Sequence, residues 1–437
     1  MAIQAVKGTR DFYPEAYAPL RRIFDTWRAV SERHGFAEYE GPTLEMLDLY
    51  REKSGDELVG QLYRLTDSGG RELALRPEMT PTLARMVAAR LSTLAKPIKW
   101  FCIPRLFRGE NVQRGRLREF FQWNVDVIGT ADVAADAECI LVGVEALREL
   151  GLTANDFVVH ISNRHLLSAI LSMAGIGEAA HEAAFAVIDK SGKTSAEELR
   201  ARWNADFGGH LKYDKLRELL GVTDLSSLSG VMGGGAEGAQ LEAALEQTQR
   251  LMTIIHDFGI IDFCKIDLSI VRGLAYYTGP VFEFYDRAHS ERAICGGGRY
   301  DDLLGKLGKS QEPAVGFGMG DVVLALMLHE RGLLTAQRRG GSVLVADAAG
   351  GLEDRVRQVV AALRRGGVET EFSYAQQALG KQLRAAGKRG VARVVVLGSE
   401  TLERGVVQVK DMVGGQSREV ALEALLADPR EVLQVTA

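Results

Sequence analysis

The chain has 437 residues, of which 46% are hydrophobic, and its 53 basic and 58 acidic residues give a net charge of −5. This length and composition predict a soluble protein of two to three domains, and the near balance of charge excludes a global field that would draw the whole chain to nucleic acid or to a membrane. The N-terminus MAIQAVKGTRDFYPE has no long apolar run, and no window approaches the roughly 18 apolar residues of a spanning helix, so we expect a cytoplasmic protein.

Cysteine and histidine spacing argue against a metal site or a disulfide scaffold. The four cysteines are widely separated and form no CxxC pair, and none of the eight histidines stands in an HExxH motif. Zinc sites and small disulfide-bonded domains both depend on such close spacings. We therefore assign no residue as a metal ligand and expect a reducing compartment.

The first predicted element is an amphipathic helix that follows the polar segment KGTRDFYP. Hydrophobic residues recur there at helical spacing, and Gly35 supplies a stop. The hydrophobic positions are Leu20, Ile23, Phe24, Trp27 and Val30. The pattern predicts a helix that packs against a core.

A second helix is predicted to begin near the segment RPEMT. Thr80-Pro81 is typical of an N-cap followed by proline at the first helical position. Glu78 lies just before this helix, where the helix dipole favours an acid. Glu78 and Thr80 are therefore either a dipole-favoured acid and a cap, or groups that bind a ligand.

The stretch Arg105 to Gly129, RLFRGENVQRGRLREFFQWNVDVIG, is predicted to form a hairpin whose first strand is the apolar run IKWFCIPRLF. Five arginines crowd its loop against two acids, Glu110 and Glu119, which favours an anion site because guanidinium forks match phosphate oxygens. The second strand should have one apolar and one polar face. The predicted faces are Phe121, Trp123, Val125 and Val127 on one side, and Phe120, Gln122, Asn124 and Asp126 on the other. A solvated hairpin with a polar outer face is the alternative.

The middle of the chain changes character twice. Between about 168 and 238, helical patterns rich in Ala, Glu and Leu predict an inserted helical subdomain. Strand character returns at Lys265 to Ile270 and at Pro280 to Tyr285, with RGLAYYTG between them. Two glycine-rich segments follow, CGGGRYDD and GFGMGD, and neither has the spacing and trailing Lys-Ser/Thr of a P-loop.

The last part of the chain is predicted to be a separate domain. Residues 333–341 are polar and contain glycine, as linkers do, and from residue 342 strand and helix patterns alternate, which predicts a small α/β sheet domain. One stretch carries basic side chains and no acid between Glu371 and Glu400. Its cations are Lys381, Arg384, Lys388, Arg389 and Arg393. They are either a solvated helix face or a surface that meets nucleic-acid phosphates.

Taken together, these segments resemble the histidyl-tRNA synthetase family of class II aminoacyl-tRNA synthetases. The segments that carry the resemblance are KGTRDFYP, Pro42 as the first class II motif, the hairpin as the second, RGLAYYTG, GGGRYD and GKQLRAAGKRG. The resemblance implies a catalytic domain over 1–332, built on an antiparallel sheet flanked by helices and carrying the insertion. It also implies a linker over 333–341 and an α/β anticodon-binding domain over 342–437.

The family's activity implies that histidine and ATP form histidyl-adenylate, and that the histidyl group then passes to the terminal adenosine of tRNA(His). Mg²⁺ would balance the leaving pyrophosphate, and a homodimer is expected. Arg108 and Arg272 match the arginines that act on the α-phosphate, and they are the expected catalytic residues. Glu110, Arg116 and Phe120 match further ATP-binding positions.

Other positions match the groups that bind the amino acid and the tRNA. Glu78, Thr80 and Gln122 match acceptors for the α-ammonium, which as a cation needs acceptors. The imidazole positions are Asp126, Tyr276 and Tyr277, and the positions near the tRNA acceptor end are Gln113 and Arg118. The basic stretch at 381–389 would lie in the domain that meets the anticodon.

Three departures from the family pattern affect these expectations. Asp126 stands where most members have Glu, so its carboxylate is one methylene shorter, and a water or a shifted tyrosine could bridge the gap. Ala275 replaces an Asp behind the tyrosines. Val322 and Val323 replace the Glu-Arg pair of the third class II motif, so ATP must use another cation or bind weakly.

The missing arginine leaves a non-enzymatic alternative. A paralogue of this family serves as the regulatory subunit of ATP phosphoribosyltransferase and binds histidine without charging tRNA, but it usually lacks the anticodon domain. A generic ATP-dependent ligase without a tRNA partner is a third possibility. This chain keeps the C-terminal domain, Arg108, Arg116 and Arg272. Those residues favour the synthetase.

Overall fold

The structure is a computed structural model that describes residues 3–51, 56–190, 194–223, 225, 227, 236–271, 276–288, 293–302, 304–305, 311–334 and 342–434. The chain divides into two compact units, Met1–Thr335 and Ala336–Ala437. Each unit has its own sheets and its own hydrophobic core.

The first unit is built on a large mixed sheet with a small sheet of three strands beside it. Its strands are β1 Ala37–Glu38, β2 Leu44–Met46, β3 Arg64–Thr66, β4 Glu72–Leu75, β5 Ile98–Cys102, β6 Arg105–Phe107, β7 Glu119–Ile128, β8 Phe157–Asn163, β9 Cys264–Ile266, β10 Pro280–Asp286, β11 Ala293–Arg299 and β12 Ala314–Gly320. The large sheet has the order β1-β5-β7-β12-β11-β10-β8-β9, with β6 also paired to β7, and the small sheet has the order β2-β4-β3. All pairs in both are antiparallel except β1 with β5 and β8 with β9.

Helices flank this sheet and form the insertion between β8 and β9. The helices of the unit are Pro14–Arg33, Leu47–Arg51, Asp56–Gly60, Thr80–Arg90, Ala134–Glu149, Arg164–Met173, His181–Ile188, Ala196–Asp206, Tyr213–Leu220, Ala236–Asp257 and Asp321–Glu330, with 3-10 turns at Glu178–Ala180 and Ile261–Phe263. The predicted N-terminal helix is confirmed, because all five of its predicted hydrophobic residues are buried and Gly35 follows with a φ of 76°. No helix within the described ranges is long and apolar enough to span a membrane.

Strand β7 has the two chemically different faces that its alternating sequence predicts. Trp123 and Val125 are fully buried on the helix side. Trp123 stacks on Trp27 with ring centroids 5.6 Å apart, and its Nε1 donates to the Ser31 hydroxyl at 3.0 Å. These contacts fix the strand against the helix Pro14–Arg33, so the polar face of β7 looks toward the opposite side of the sheet.

The first strand of the predicted hairpin is interrupted. The run IKWFCIPRLF forms β5 and β6 with a break at Ile103 and Pro104, and both pieces pair with β7. Proline has no N–H to donate to the sheet, so it ends the regular pairing. Its carbonyl still accepts a hydrogen bond from the Gln122 N–H at 3.1 Å.

A buried ion pair holds the end of β11. Arg299 and Asp136 are both almost fully buried, and the Arg299 Nε lies 3.2 Å from Asp136 Oδ2. The Arg299 Nη1 also donates to the carbonyl of Thr130 at 3.1 Å. Arg299 thus ties β11 to the start of the helix Ala134–Glu149, and the next residue in the chain is Tyr300.

The second unit is a five-stranded sheet with helices against it. Its strands are β13 Val343–Asp347, β14 Thr370–Phe372, β15 Arg393–Leu397, β16 Val406–Asp411 and β17 Ser417–Ala421, in the order β14-β13-β15-β16-β17. Its helices are Glu353–Arg365, Leu379–Arg389, Ser399–Arg404, Leu422–Ala427 and Pro429–Leu433. Val345 and Leu344, neighbours in β13, belong to two different apolar clusters, as the alternation along a strand requires. The predicted alternation of strands and helices from residue 342 is confirmed.

Candidate active site

A cavity of about 370 Å³ opens over the polar face of β7. It brings together candidate residues from three separate segments of the chain, RPEMT, the hairpin and RGLAYYTG. Those residues are Glu78, Thr80, Arg108, Glu110, Arg116, Gln122, Asp126, Tyr276 and Tyr277. Acceptors, tyrosines and arginines therefore converge on one space.

The floor of the cavity is made by glycines of β12, the strand beside β7. Gly316 pairs with Asp126 and Gly318 with Asn124 in the sheet register. A Cβ on Gly316 would lie 2.1 Å from Asp126 Oδ1, and a Cβ on Gly318 would lie 2.7 Å from the Gln122 side-chain carbon Cδ. The polar side chains of β7 therefore occupy the space that side chains on β12 would fill, which is a physical reason for the GFGMG sequence.

Asp126 is buried at one end of the cavity and bonds to a tyrosine that the sequence analysis did not assign. The Tyr300 hydroxyl lies 2.5 Å from Asp126 Oδ1. Burial raises the pKa of Asp126 to about 7, although the hydrogen bond from Tyr300 lowers it. Burial also raises the pKa of Tyr300 well above its ordinary value, so the hydroxyl is the donor. Tyr300 belongs to the GGGRYDD segment, and its position two residues after a glycine run is the signal that the sequence offers.

The acceptor group of the cavity lies where β4 leads into the helix Thr80–Arg90. Glu78 is buried although it is an acid, and it lines the cavity with Thr80 and Gln122. The prediction that Thr80 caps this helix is wrong. Thr80 is the first helical residue, Met79 occupies the N-cap position, and no side chain caps it. The Thr80 side chain faces the cavity instead of the helix end.

The arginine end of the cavity is made by the hairpin. The Arg108 Nε donates to the Pro77 carbonyl at 2.9 Å, and the Arg108 guanidinium carbon lies 5.2 Å from the centre of the Phe120 ring. Arg116 pairs with Glu110 at 2.9 Å, with 51% of the Arg116 side chain exposed against 11% for Glu110. Arg116 can therefore reach solvent or a ligand while Glu110 stays under it.

The five hairpin arginines differ in their surroundings. Arg105 pairs with Glu119 at 2.7 Å, and Arg114 pairs with Glu330 of the helix Asp321–Glu330. Arg108 and Arg116 line the cavity, and Arg118 donates through Nε to the Glu110 carbonyl at 3.2 Å. Two of the five arginines, Arg108 and Arg116, therefore bring positive charge to the cavity.

Gln113 lies at the turn of the hairpin rather than in the cavity. Its backbone forms a bridge with Arg116, with N–H to carbonyl distances of 3.0 and 2.9 Å. Gln113 and Arg118 therefore lie beside the arginine end of the cavity, on the hairpin itself.

Further expectations concern Arg272, Ala275, Val322 and Val323. Arg272 and Ala275 lie outside the described residues. Val322 and Val323 lie in the first turn of the helix Asp321–Glu330, and both are half-buried, with Val323 packed against the main core. Neither side chain can therefore supply the positive charge of the expected Glu-Arg pair.

Four of the five cations of the basic stretch lie on one exposed helix, and the fifth, Arg393, is the first residue of β15. Lys381, Arg384, Lys388 and Arg389 all belong to the helix Leu379–Arg389, and all four are exposed. Arg389 Nε lies 3.2 Å from Glu371 Oε2, so its charge is partly balanced. Gln382 and Ala386 form the buried side of the same helix.

A second cavity, of about 530 Å³, lies at the start of this helix. Phe372, Tyr374 and Gln382 are among its lining residues. Tyr374 is 91% exposed, which is unusual for an aromatic side chain, and its ring meets that of Phe372 edge-on at 5.0 Å. This tyrosine is not among the candidate residues predicted from the sequence.

Comparison with known proteins gives the same assignment for both units. The family described as histidyl-tRNA synthetase matches residues 8–321, and the anticodon-binding domain family matches residues 342–428. A histidine–tRNA ligase of Opitutus terrae is 38% identical over 431 residues, which is 98% of each chain.

Solved structures are similar over almost the whole chain. The histidyl-tRNA synthetase of Nostoc sp. PCC 7120 has a TM-score of 0.84 at 25% identity and covers 99% of this chain and 100% of its own. An ATP phosphoribosyltransferase regulatory subunit/histidyl-tRNA synthetase of Bacillus halodurans has a TM-score of 0.74 over 91% of this chain and 99% of its own, and its 23% identity shows the fold alone. The regulatory alternative is thus no better supported. The chain belongs to the histidyl-tRNA synthetase family of class II aminoacyl-tRNA synthetases, the enzymes that join histidine to its tRNA with the use of ATP.

Proposed function

We propose that the cavity over β7 binds histidine and ATP side by side and forms histidyl-adenylate there. One observation carries this proposal: acceptors for an ammonium group, a tyrosine-bonded carboxylate and two arginines line the same cavity of about 370 Å³. Glu78, Thr80 and Gln122 would bind the α-ammonium. Asp126, with Tyr276, Tyr277 and Tyr300, would surround the imidazole.

The ATP would lie toward the hairpin. The histidine carboxylate attacks the α-phosphorus, the bond to the β-phosphate oxygen breaks, and pyrophosphate leaves. Negative charge increases at the α-phosphate in this step, so fixed cations lower the barrier. Arg108 is held by the Pro77 carbonyl and would meet the α-phosphate, and Arg272 would approach it from the other side.

Arg116 and Glu110 would change partners when ATP binds. Arg116 is half exposed and would turn to the terminal phosphate, which leaves the Glu110 carboxylate facing the bound nucleotide. We propose that Mg²⁺ enters with ATP as part of the substrate and that Glu110 is the carboxylate of the cavity that could meet it. The Phe120 ring, which contacts the Arg108 guanidinium, would lie against the adenine.

The second step needs the end of tRNA(His) at the same place. A hydroxyl of the terminal adenosine attacks the histidyl carbonyl, and AMP leaves. Gln113 and Arg118 lie on the hairpin beside the arginine end and would contact the acceptor end. In the second unit, the exposed cations of Leu379–Arg389 would meet phosphates, and Tyr374 would offer a stacking face to an unpaired base. A cytoplasmic homodimer is part of this proposal.

The decisive measurement is histidine-dependent exchange between ATP and pyrophosphate by the full chain, followed by charging of tRNA(His). The proposal requires exchange with histidine and none with other amino acids. Arg272→Ala should abolish exchange while histidine binding stays within about an order of magnitude, because the lost charge acts on phosphate. Histidine binding by the wild-type chain without any exchange would favour the regulatory alternative and overturn this assignment.

A further inference from the structure

The helix that carries Val322 and Val323, the positions of the third class II motif, begins with a buried carboxylate. None of the proposed substrate contacts uses this carboxylate. Asp321, the first residue of the helix Asp321–Glu330, is fully buried. Its Oδ1 accepts the Phe121 N–H at 2.8 Å, and its Oδ2 lies 2.7 Å from Arg10 Nη2. One carboxylate therefore joins three parts of the chain: the N-terminal segment, the strand β7 and this helix.

The N-terminal segment follows β7 over several residues. The Gly8 carbonyl accepts the Arg118 N–H at 2.9 Å and the Glu119 N–H at 3.3 Å, just before β7 and at its first residue. Gly8 has a φ of 89°, and a Cβ there would lie 2.9 Å from Arg118 Cγ, so only glycine fits this approach. Arg10 then reaches the strand two residues farther on, at Phe121, through Asp321.

The contact lies on β7 between two residues of the proposed substrate sites. Phe121 lies between Phe120, whose ring carries Arg108, and Gln122, which lines the cavity. The other end of the polar face is held separately, because Asp126 is bonded to Tyr300 and lies opposite Gly316 in the sheet. A shift of β7 at Phe121 would therefore move Phe120 and the nucleotide end of the cavity more than the imidazole end. Of the three proposed α-ammonium acceptors, it would move only Gln122.

Stability alone is a weak reason for a charged pair here. Replacing a buried ion pair with apolar residues of similar size is often neutral or stabilising. In addition, the Arg10 Nε is buried and has no hydrogen-bond acceptor among the residues that the structure describes. The Arg10 guanidinium carbon lies 4.8 Å from the centre of the Phe12 ring, and 24% of the Arg10 side chain is exposed.

We propose that Arg10 and Asp321 form a positioning pair that fixes β7 at Phe121 for ATP binding. The two residues that follow Asp321 are Val322 and Val323, which stand in place of the expected Glu-Arg pair. Arg10 acts through Asp321 on the strand backbone. This inference rests on the proposed histidine and ATP sites. It predicts that loss of Arg10 weakens ATP binding selectively.

The test compares three variants with the wild-type full chain in histidine-dependent exchange. Arg10→Met removes the charge and keeps the length of the side chain. Arg10→Met/Asp321→Asn also removes the buried negative charge, while the Asn carbonyl can still accept the Phe121 N–H. The matched control is Arg331→Met, because Arg331 pairs with Asp286 at 2.7 Å just beyond the other end of the same helix, with 19% and 7% of the two side chains exposed.

The proposal predicts that both Arg10 variants raise the KM for ATP about tenfold or more, with less than about a threefold change in the KM for histidine. The double variant separates positioning from folding, because it carries no unpaired buried carboxylate. Its melting temperature should fall no further than that of Arg331→Met, whose KM for ATP should stay at the wild-type value. An unchanged KM for ATP in the folded double variant would overturn the inference, as would equal rises for both substrates. Absence of exchange in the wild-type chain would instead overturn the proposed function.

Discussion

The Tyr300 hydroxyl donates to the Asp126 carboxylate across 2.5 Å, and both groups are buried at the end of the cavity. Asp126 is one methylene shorter than the glutamate that the family resemblance leads us to expect at this position. In this chain, a tyrosine from the GGGRYDD segment meets the shorter carboxylate. One oxygen of Asp126 is therefore engaged, and its orientation is fixed before a ligand arrives.

Tyr300→Phe should impair histidine use more than ATP use. The change removes a hydrogen bond to a carboxylate, which is worth roughly 1.5–3 kcal/mol, so kcat/KM for histidine should fall about 10- to 100-fold. Steady-state exchange kinetics with each substrate varied would measure this. The control is Tyr39→Phe, which removes a hydroxyl from the same apolar cluster and leaves the Asp126 hydrogen bond in place. Equal losses in the two variants would contradict a specific role for Tyr300.

The stability of the first unit should fall as the pH rises from about 4 to about 7. Burial raises the pKa of Asp126 to about 7 in the folded chain, whereas an unfolded aspartate titrates near 4, so between these values the folded chain holds a proton that the unfolded chain has released. The unfolded state binds fewer protons there, so stability decreases with pH and levels off above about 7. The shift corresponds to roughly 4 kcal/mol.

Urea unfolding followed by tryptophan fluorescence can test this, because all four tryptophans lie in Met1–Thr335. Asp126→Asn should flatten the slope between pH 5 and pH 8. It should not abolish the slope, since burial also raises the pKa of Asp136 to about 6 despite its pairing with Arg299. An unaltered slope in Asp126→Asn would show that this carboxyl does not carry the proton.

Three glycines of β12 should differ sharply in their tolerance of alanine. Gly316→Ala would place its Cβ 2.1 Å from Asp126 Oδ1 and 2.6 Å from the Val125 carbonyl, so it should destabilise the fold and abolish histidine binding. Gly318→Ala meets the mobile end of Gln122, so the fold should survive with roughly tenfold weaker histidine binding. Gly320→Ala meets nothing within 4 Å and is the control. Calorimetric titration with histidine, together with melting curves, distinguishes the three. Similar behaviour of all three variants would contradict the proposed floor.

The cations of Leu379–Arg389 should affect tRNA and leave adenylate formation unchanged. Alanine at Lys381, Arg384 or Lys388 should weaken tRNA binding, and each lost phosphate contact should reduce the slope of log K against log salt by about 1. Arg389→Ala should have a smaller effect because Glu371 already balances this charge. Arg355→Ala, an exposed cation of the helix Glu353–Arg365, serves as the control. Binding titrations at several salt concentrations measure the slopes, and a control slope equal to those of the three variants would indicate nonspecific charge.

The parts of the fold that depend on local periodicity could be predicted from the sequence. The helix Pro14–Arg33 follows from residues spaced by three and four, and the two faces of β7 follow from strict alternation. Both patterns reflect geometry that a residue shares with its near neighbours. The pairing of β7 with β12, which makes the cavity floor, joins residues almost 200 positions apart and left no local pattern.

Thr80 and Tyr300 show where local patterns fail to predict the site. Thr80 was predicted to cap a helix because its residue type and the following proline favour that role, yet the helix begins at Thr80 itself. No local pattern points to Tyr300, because its partner Asp126 lies 174 residues away. The family resemblance supplied most of the site, since it transfers residue positions that no periodicity contains. Asp321 could not be assigned by either route, because only the fold brings Arg10 beside it.

The glycines of β12 limit how this site can change. A floor made of backbone cannot be lowered further by a smaller side chain, and it can be raised only by displacing Asp126 or Gln122. Adaptation to a different amino acid would therefore have to come from the walls, the tyrosines and the acceptors at Glu78 and Thr80. The size of the accepted ligand is in this sense set by strand pairing, which the whole sheet stabilises.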